Sequence, residues 1–364
     1  MKKIVFTLIG VGLAITLVSY INNPKSSLTS NFVEGNPEVA SINALSFGPE
    51  GILFLGDSKS ATIFALETKD TKNNNVSEAN MENFDTKLAA TLGTTADNIQ
   101  ITDMAVNPIS KAIYFSLNST NGTPLLMKLS NGKFENVSLK DVSYSKIKLA
   151  DPVEDVKDNR GRDQRVWAIA DLKYHNGKVM VSGLSNKEFS STFRSMPFPF
   201  TNEQDYASLE MYHTAHGRYE TYSPIKTFDV VNINKKDYLL ASYTCTPLVL
   251  FPIDELKGNN HVKGRTIAEI GAGNSPLDMV IMKKNGKSYM LMANTRHSTV
   301  KIDFESIAST KESLTERVEG TDGVAFEPLP NMKNVVQLDN LNNGNFVYLQ
   351  KTDNDQLALK SSSI

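Results

Sequence analysis

The chain has 364 residues, 40% of them hydrophobic, with 38 Lys and Arg against 40 Asp and Glu and a formal net charge of -2. That balance lacks the basic excess on which nucleic-acid binding draws, so no nucleic-acid partner is expected, and one cysteine excludes an internal disulfide. The apolar fraction is enough for a sizeable core, in two average domains or one large all-β domain.

In chain order, the start Met1-Lys2-Lys3 followed by the apolar run from Ile4 to Ile21 has the charged and apolar regions of an export signal. It places the protein outside the cytoplasm, periplasmic or secreted. The run is also near the lower limit for crossing a bilayer, and no small-x-small cleavage site precedes Asn22. Residues 1–23 therefore read either as a removed signal peptide or as a membrane anchor through residues 4–21. No later apolar stretch approaches that length. Residues 24–38 read as a linker.

From residue 39 a unit recurs: a strand with Asp or Asn near its start, a turn, a second apolar strand, then a third. The first copy runs from Ile42 to Pro49, then Ile52 to Asp57, then Thr62 to Leu66. The second runs from Ile101 to Pro108, then Ala112 to Ser116, then Leu125 to Leu129. Later copies begin at Ile169, Thr227 and Leu277, and a degenerate sixth spans residues 321–350. Strand-period alternation broken by Asn-Gly and Pro turns indicates antiparallel sheet. A spacing of roughly 45 to 70 residues matches a four-stranded propeller blade plus insertions. The expected fold is an all-β, six- or seven-bladed β-propeller over residues 39–352, with residues 353–364 as a tail. The stretch from Val137 to Arg165 leaves the blade count open, because it reads as either a loop or strands. Helix is expected only between blades, at Ser77–Leu92 and Phe304–Glu312.

This rhythm resembles that of exported bacterial β-propellers, the group that includes the YVTN repeat proteins. The resemblance covers most of residues 39–350 and rests on blade spacing alone. It implies a fold and an exported location, and little about activity.

Residues 211–222 read Met-Tyr-His-Thr-Ala-His-Gly-Arg-Tyr-Glu-Thr-Tyr and hold two of the five histidines. Loops entering the first strand of a blade and loops joining its second and third strands share one face of a propeller. His213, His216, Cys245, His297 and Asp57 are all expected on that face. The segment from about 186 to 224, rich in Phe, Tyr and Met, is expected to fold as a lid over the channel mouth. Imidazoles with a thiolate suit copper or zinc, and Met211 or Met292 nearby would favour copper. The expected ligands are His213, His216, Cys245 and His297. Tyr212 and Tyr219 are candidate redox-active groups and Arg218 a candidate clamp for a substrate carboxylate or phosphate. Tyrosines beside a cysteine and two histidines are similar in kind to the sites of propeller-borne copper radical oxidases, although those ligand motifs do not align with this chain.

Bland readings stand beside these. Histidines in a loop pack or hydrogen-bond more often than they ligate, and a lone cysteine is commonly a small buried hydrophobe. Asp103, Asp171 and Asp278 recur at one blade position, which reads as hydrogen bonding to neighbouring strand amides rather than a ring of channel carboxylates binding a cation. Met279, Met282, Met290 and Met292 alternate between strand faces and read as core filling. There is no phosphate-cradling glycine loop, nucleophile elbow, Cys-x-x-Cys-His or His-Glu-x-x-His, so neither nucleotide nor haem is expected. Two functions follow: an exported metal-dependent enzyme of redox type acting on a small molecule, or a non-enzymatic binding module for a protein, peptide or glycan.

Overall fold

The structure is a computed structural model that describes residues 27–364 apart from 75, 77 and 343. The expected export segment, residues 1–23, lies outside the described residues. No described helix is long and apolar enough to cross a membrane.

Six sheets, antiparallel but for one added edge strand, make six blades, which resolves the blade count. Blade 1 holds Ala44–Phe47, Ile52–Asp57, Thr62–Glu67 and Val142–Lys148 from the inside outwards, with Val33–Gly35 added at its edge. Blade 2 is Ile99–Val106, Ile113–Ser119, Pro124–Ser130 and Lys133–Asn136. Blade 3 is Asp171–His175, Lys178–Leu184, Ser191–Pro197 and Asp205–His213, and the last of these also pairs with Arg218–Glu220 and, in parallel, with Asn260–Lys263. Blade 4 is Ile225–Ile233, Lys236–Tyr243, Pro247–Pro252 and Arg265–Glu269, edged by Asp322–Gly323. Blade 5 is Pro276–Lys284, Lys287–Asn294, Val300–Asp303 and Glu327–Pro328. Blade 6 is Val335–Asn342, Asn345–Lys351 and Leu357–Ser363, and Met81 bridges to Leu359 at its outer edge.

The strands form where the sequence alternates two apolar sets, because each blade is sandwiched between neighbours. In Ile52–Asp57, Ile52 and Phe54 pack towards blade 3 while Leu53 and Leu55 pack towards blade 2. Hairpins turn at Asn176-Gly177 and Asn285-Gly286, where both residues take positive φ, the geometry that joins two twisted strands through a two-residue loop. The methionines fill cores as alternation predicts: Met279, Met290 and Met292 lie between blades 4 and 5, and Met282 between blades 5 and 6.

Ring order differs from chain order. Apolar cores join blades 1 and 2, 2 and 6, 6 and 5, 5 and 4, 4 and 3, and 3 and 1. Blade 2 is thus inserted between the third and fourth strands of blade 1 and sits on the side away from blade 3. Within the ambiguous stretch from Val137 to Arg165, Val142–Lys148 is the strand that returns to complete blade 1.

A belt of hydrogen bonds holds the inner strands together. Asp103 accepts from the Leu45 amide at 2.6 Å, Asp171 from Phe228 at 3.0 Å, Asp229 from Ile281 at 3.2 Å, Asp278 from Leu338 at 2.8 Å and Asp339 from Val106 at 2.7 Å. Ser46 closes the ring, its hydroxyl accepting from the Tyr174 amide at 3.3 Å. The second oxygen of each aspartate accepts the amide of the following residue, from Met104, Leu172, Val230, Met279 and Asn340. The recurrent aspartates therefore hydrogen-bond across blades, as their recurrence suggested.

Three expectations need correction. The segment 186–224 is no lid: Ser191–Pro197 and Asp205–His213 are the third and fourth strands of blade 3, and its Phe193, Met196, Phe198 and Phe200 are buried between blades. The stretch 24–38 contains strand Val33–Gly35, and the stretch 353–364 contains strand Leu357–Ser363. Their apolar residues are too few to announce a strand, and partner strands supply the pairing. Helix is sparse, as expected, with α1 at Phe84–Thr91 and α2 at Phe304–Ser309.

Candidate functional site

The site lies on the expected face, at the outer end of the junction between blades 3 and 4. Strand Asp205–His213 ends there, a tight turn passes through Thr214 to Gly217, and Arg218–Glu220 runs back beside it. The turn closes through the Gly217 amide on the His213 carbonyl at 2.8 Å and the His216 amide on the same carbonyl at 3.0 Å. Gly217 has a φ of 63°, and the Arg317 side chain packs directly on it, within 3.1 Å of where a Cβ would stand.

In this hairpin Met211 opposes Glu220 and His213 opposes Arg218, so His213 and Glu220 share a face. The buried Glu220 carboxylate grips both histidines: the Nδ1–H of His213 donates to Oε2 at 2.9 Å and the Nδ1–H of His216 to Oε1 at 2.7 Å. Ser223 Oγ donates to Oε2 at 2.8 Å and Arg218 Nε to Oε1 at 3.2 Å. Burial alone would raise the Glu220 carboxyl, but the hydrogen bonds from His213, His216 and Ser223 outweigh it and hold the group well below the usual carboxylate range. An ionised carboxylate only accepts, so each neutral imidazole carries its proton on Nδ1 and presents a lone pair at Nε2.

Cys245 arrives from blade 4, in the turn after strand Lys236–Tyr243. Cys245 and Thr246 have φ of 67° and 61°, a conformation costly for a β-branched residue. The turn is fixed by the Cys245 amide on the Asn274 carbonyl at 2.7 Å, the Thr246 amide on the Tyr243 carbonyl at 2.9 Å, and Thr246 Oγ1 on the Gly271 carbonyl at 3.1 Å. The result brings one donor atom each from His213, His216 and Cys245 within 4.8 Å of one another. His213 is 2% exposed and among the described residues its Nε2 has no hydrogen-bond partner, whereas His216 is half open to solvent and Cys245 is partly buried. A buried ring nitrogen is a donor that a soft or borderline cation accepts, and two imidazoles with a thiolate suit zinc or copper.

Other sequence candidates fall elsewhere. His297 is exposed, with its ring against Gly271, and does not join the three donors. Asp57 is buried in blade 1, where it bonds Ser41, Ser60 and the Ala40 amide. Met211 and Met292 are buried in the cores between blades 3 and 4 and between blades 4 and 5. Tyr212 is buried against the edge of Tyr219, with ring centroids 5.1 Å apart. Tyr219 is exposed and carries the Lys263 ammonium 3.4 Å from its ring centroid. Arg218 donates to the Tyr222 hydroxyl at 2.6 Å besides its bond to Glu220.

Sequence reasoning missed two acids. Glu220 is four residues after His216, and the hairpin register that puts it on the face of His213 was the available signal. Glu269 is fully buried at the end of its blade 4 strand and accepts from Thr214 Oγ1. Burial raises its carboxyl above the usual range, and Thr214 and His213 only partly offset this. Nothing in the sequence distinguishes it from a surface glutamate.

No protein-family model matches the chain, and no curated protein is similar to it in sequence. Among solved structures it is similar to the extracellular domains 1-2 of Drosophila Semaphorin 1b, at 10% identity over 92% of this chain and 85% of that one, with a TM-score of 0.42. It is also similar to the PQQ-bound aldose sugar dehydrogenase of Streptomyces coelicolor, at 10% identity over 91% and 98% with a TM-score of 0.34. A third is a streptogramin B lyase, at 11% identity over 90% and 86% with a TM-score of 0.35. Similarity at this level carries over neither a reaction nor a ligand. What is established for this chain is a six-bladed, nearly all-β propeller whose rim brings two histidines and a cysteine together.

Proposed function

We propose that the protein is an exported propeller that binds one copper or zinc ion through His213, His216 and Cys245 and works on a small molecule there. One observation carries the reading: Glu220 takes both Nδ1 protons while the Nε2 of His213 stays buried and unpartnered beside the other two donors. A carboxylate behind metal-bound histidines fixes their tautomer and raises their basicity. When bound, the ion would supply Lewis acidity, or one-electron chemistry if it is copper. The chain's own part is to hold the imidazoles, to keep Cys245 in its strained turn, and to leave the His216 side open to solvent. Tyr219 and Arg218 flank that open side and are the proposed groups that meet the substrate. The N-terminal segment, residues 1–23, supports export.

The test is elemental analysis of residues 24–364 purified without chelator, beside a His213→Ala, His216→Ala double variant and Cys245→Ser. The expected result is about one metal per chain in the parent, lost in the double variant and reduced in Cys245→Ser. Folded protein that takes up neither copper nor zinc would refute the reading.

A binding-module reading has one observation in its favour. A cavity of about 610 Å³ lies on the same face over blades 1, 2 and 3, lined by hydroxyl and amide side chains such as Ser41, Asn43, Gln100 and Asn118. Loss of partner capture by Asn43→Ala and Gln100→Ala, with metal content unchanged, would support it.

A further inference from the structure

His297 was drawn into the metal argument by residue type, and its surroundings give it a different role. The segment after α2 crosses the outer edges of two blades: Asp322–Gly323 pairs with blade 4 and Glu327–Pro328 with blade 5. Beneath this strap lies a cavity of about 460 Å³. Its apolar side is Ile270, Val300, Phe326 and Pro328, of which Ile270 and Val300 are buried cores of blades 4 and 5. Its charged and ionisable lining is Arg296, Lys333 and His297, with no acidic residue among the lining side chains. Among the described residues neither Arg296 nor Lys333 forms an ion pair within 4.0 Å; the nearby Glu327 is engaged by Lys301 at 2.6 Å instead.

Arg296 is held in place from behind. Its backbone amide donates to Asn274 Oδ1 at 3.0 Å, and one terminal guanidinium nitrogen lies 3.3 Å from where a Cβ on Gly273 would stand. The Nε2 of His297 lies 3.2 Å from the corresponding point on Gly271. Two glycines with positive φ thus let a guanidinium and an imidazole that line the cavity approach the backbone closely. An apolar floor with unpaired cations at its rim is the arrangement that seats an amphiphilic anion: the floor removes a hydrocarbon body from water and the fork of Arg296 meets a planar carboxylate.

We propose that this cavity binds an organic carboxylate with an apolar, aromatic or branched aliphatic body, its carboxylate between Arg296 and Lys333 and its body against Phe326 and Pro328. The volume suits a ligand of drug-fragment size. This site is separate from the three-donor cluster and does not depend on a metal there. It shares the Ile270-Gly271 backbone with the Cys245 turn, through the Ile270 amide on the Thr246 carbonyl at 3.3 Å.

The experiment is isothermal titration of the protein with 3-phenylpropionate and, as a neutral probe of the same shape, 3-phenylpropionamide, in chloride-free buffer with and without chelator. The acid is expected to bind at least ten times more tightly than the amide, and equally with and without chelator. Arg296→Glu and Lys333→Glu change exposed side chains that support no core, and each is expected to weaken the acid at least tenfold while leaving the amide unchanged. Phe326→Ser is expected to weaken both probes. Equal binding of acid and amide, or acid binding that survives both charge reversals, overturns the proposal, as does absence of any binding by the acid.

Discussion

The channel belt and the rim cluster both gather titratable side chains in a confined space, yet they differ in what those side chains leave undone. In the channel, Asp103, Asp171, Asp229, Asp278 and Asp339 each spend one oxygen on a neighbouring blade and the other on their own strand. At the rim, Glu220 is saturated while, among the described residues, the buried His213 Nε2 finds no partner. Satisfied repetition marks architecture; an unmet atom in a non-repeated cluster marks a place for something else.

The sharpest break between the two comes from Glu220→Ala, which removes the carboxylate behind both imidazoles. Metal affinity should fall by about 10- to 100-fold, read by competition with a chromophoric chelator. An unchanged affinity would make the rim another satisfied structural cluster. The converse variant is Asp171→Ala, which strips partners from the Leu172 and Phe228 amides and from Thr227 Oγ1. It should destabilise the fold by about 1–3 kcal/mol in chemical denaturation while metal content stays at the parental level.

The pH dependence separates the regions next. Burial pushes the Asp278 carboxyl up to about 7, with Lys173 and the Leu338 amide opposing and Asp171 and Asp339 reinforcing the rise. Asp103, Asp171, Asp229 and Asp339 move in the same direction. A folded state that keeps protons which the unfolded chain releases near pH 4 is most stable below that pH from this source. That stability is then lost as pH rises through about 7. Melting temperature should therefore fall between pH 5 and pH 8, and Asp278→Asn should flatten the slope. A slope unaltered in that variant would mean the belt carries no titrating proton. The smallest effect belongs to Tyr219→Ala, which removes the ring beneath Lys263. It should cost about 0.5–1 kcal/mol and leave metal content alone, while any fall in turnover would place Tyr219 with the substrate.

Much of the belt was legible in the sequence because it repeats: Asp103, Asp171 and Asp278 stand at one position of successive strands, and alternation fixes which way each strand faces. The rim was half legible. His213, His216 and Cys245 declare themselves by rarity, but Glu220 and Glu269 are common residues whose role comes from a hairpin register and from burial. The segment 186–224 misled because an aromatic-rich stretch between clear copies reads as an excursion. Phe193 and Met196 lie on the third strand of blade 3, facing opposite sides, and Phe198 and Phe200 in the turn that follows it, so all four are core residues between blades. The exchange of blades 1 and 2 in the ring left no trace in composition, since it depends on which strand edge Val142–Lys148 finds.

That exchange also sets a schedule for assembly. As the chain emerges from the ribosome, the first three strands of blade 1 wait, with an open edge along Thr62–Glu67, until all of blade 2 has been made and Val142–Lys148 returns. Blades 1 and 2 are therefore committed to maturing together, whereas the first three strands of blades 3, 4 and 5 follow one another in chain order and only their edges wait for later segments. The seam between blades 2 and 6 starts at Asp339, whose carboxylate reaches the Val106 amide, and its outer part closes only when Leu357–Ser363 reaches Met81. A chain stopped before residue 357 would leave the outer part of that seam open, with the apolar residues beside Leu359 uncovered and the edge of Asn345–Lys351 free to meet another strand.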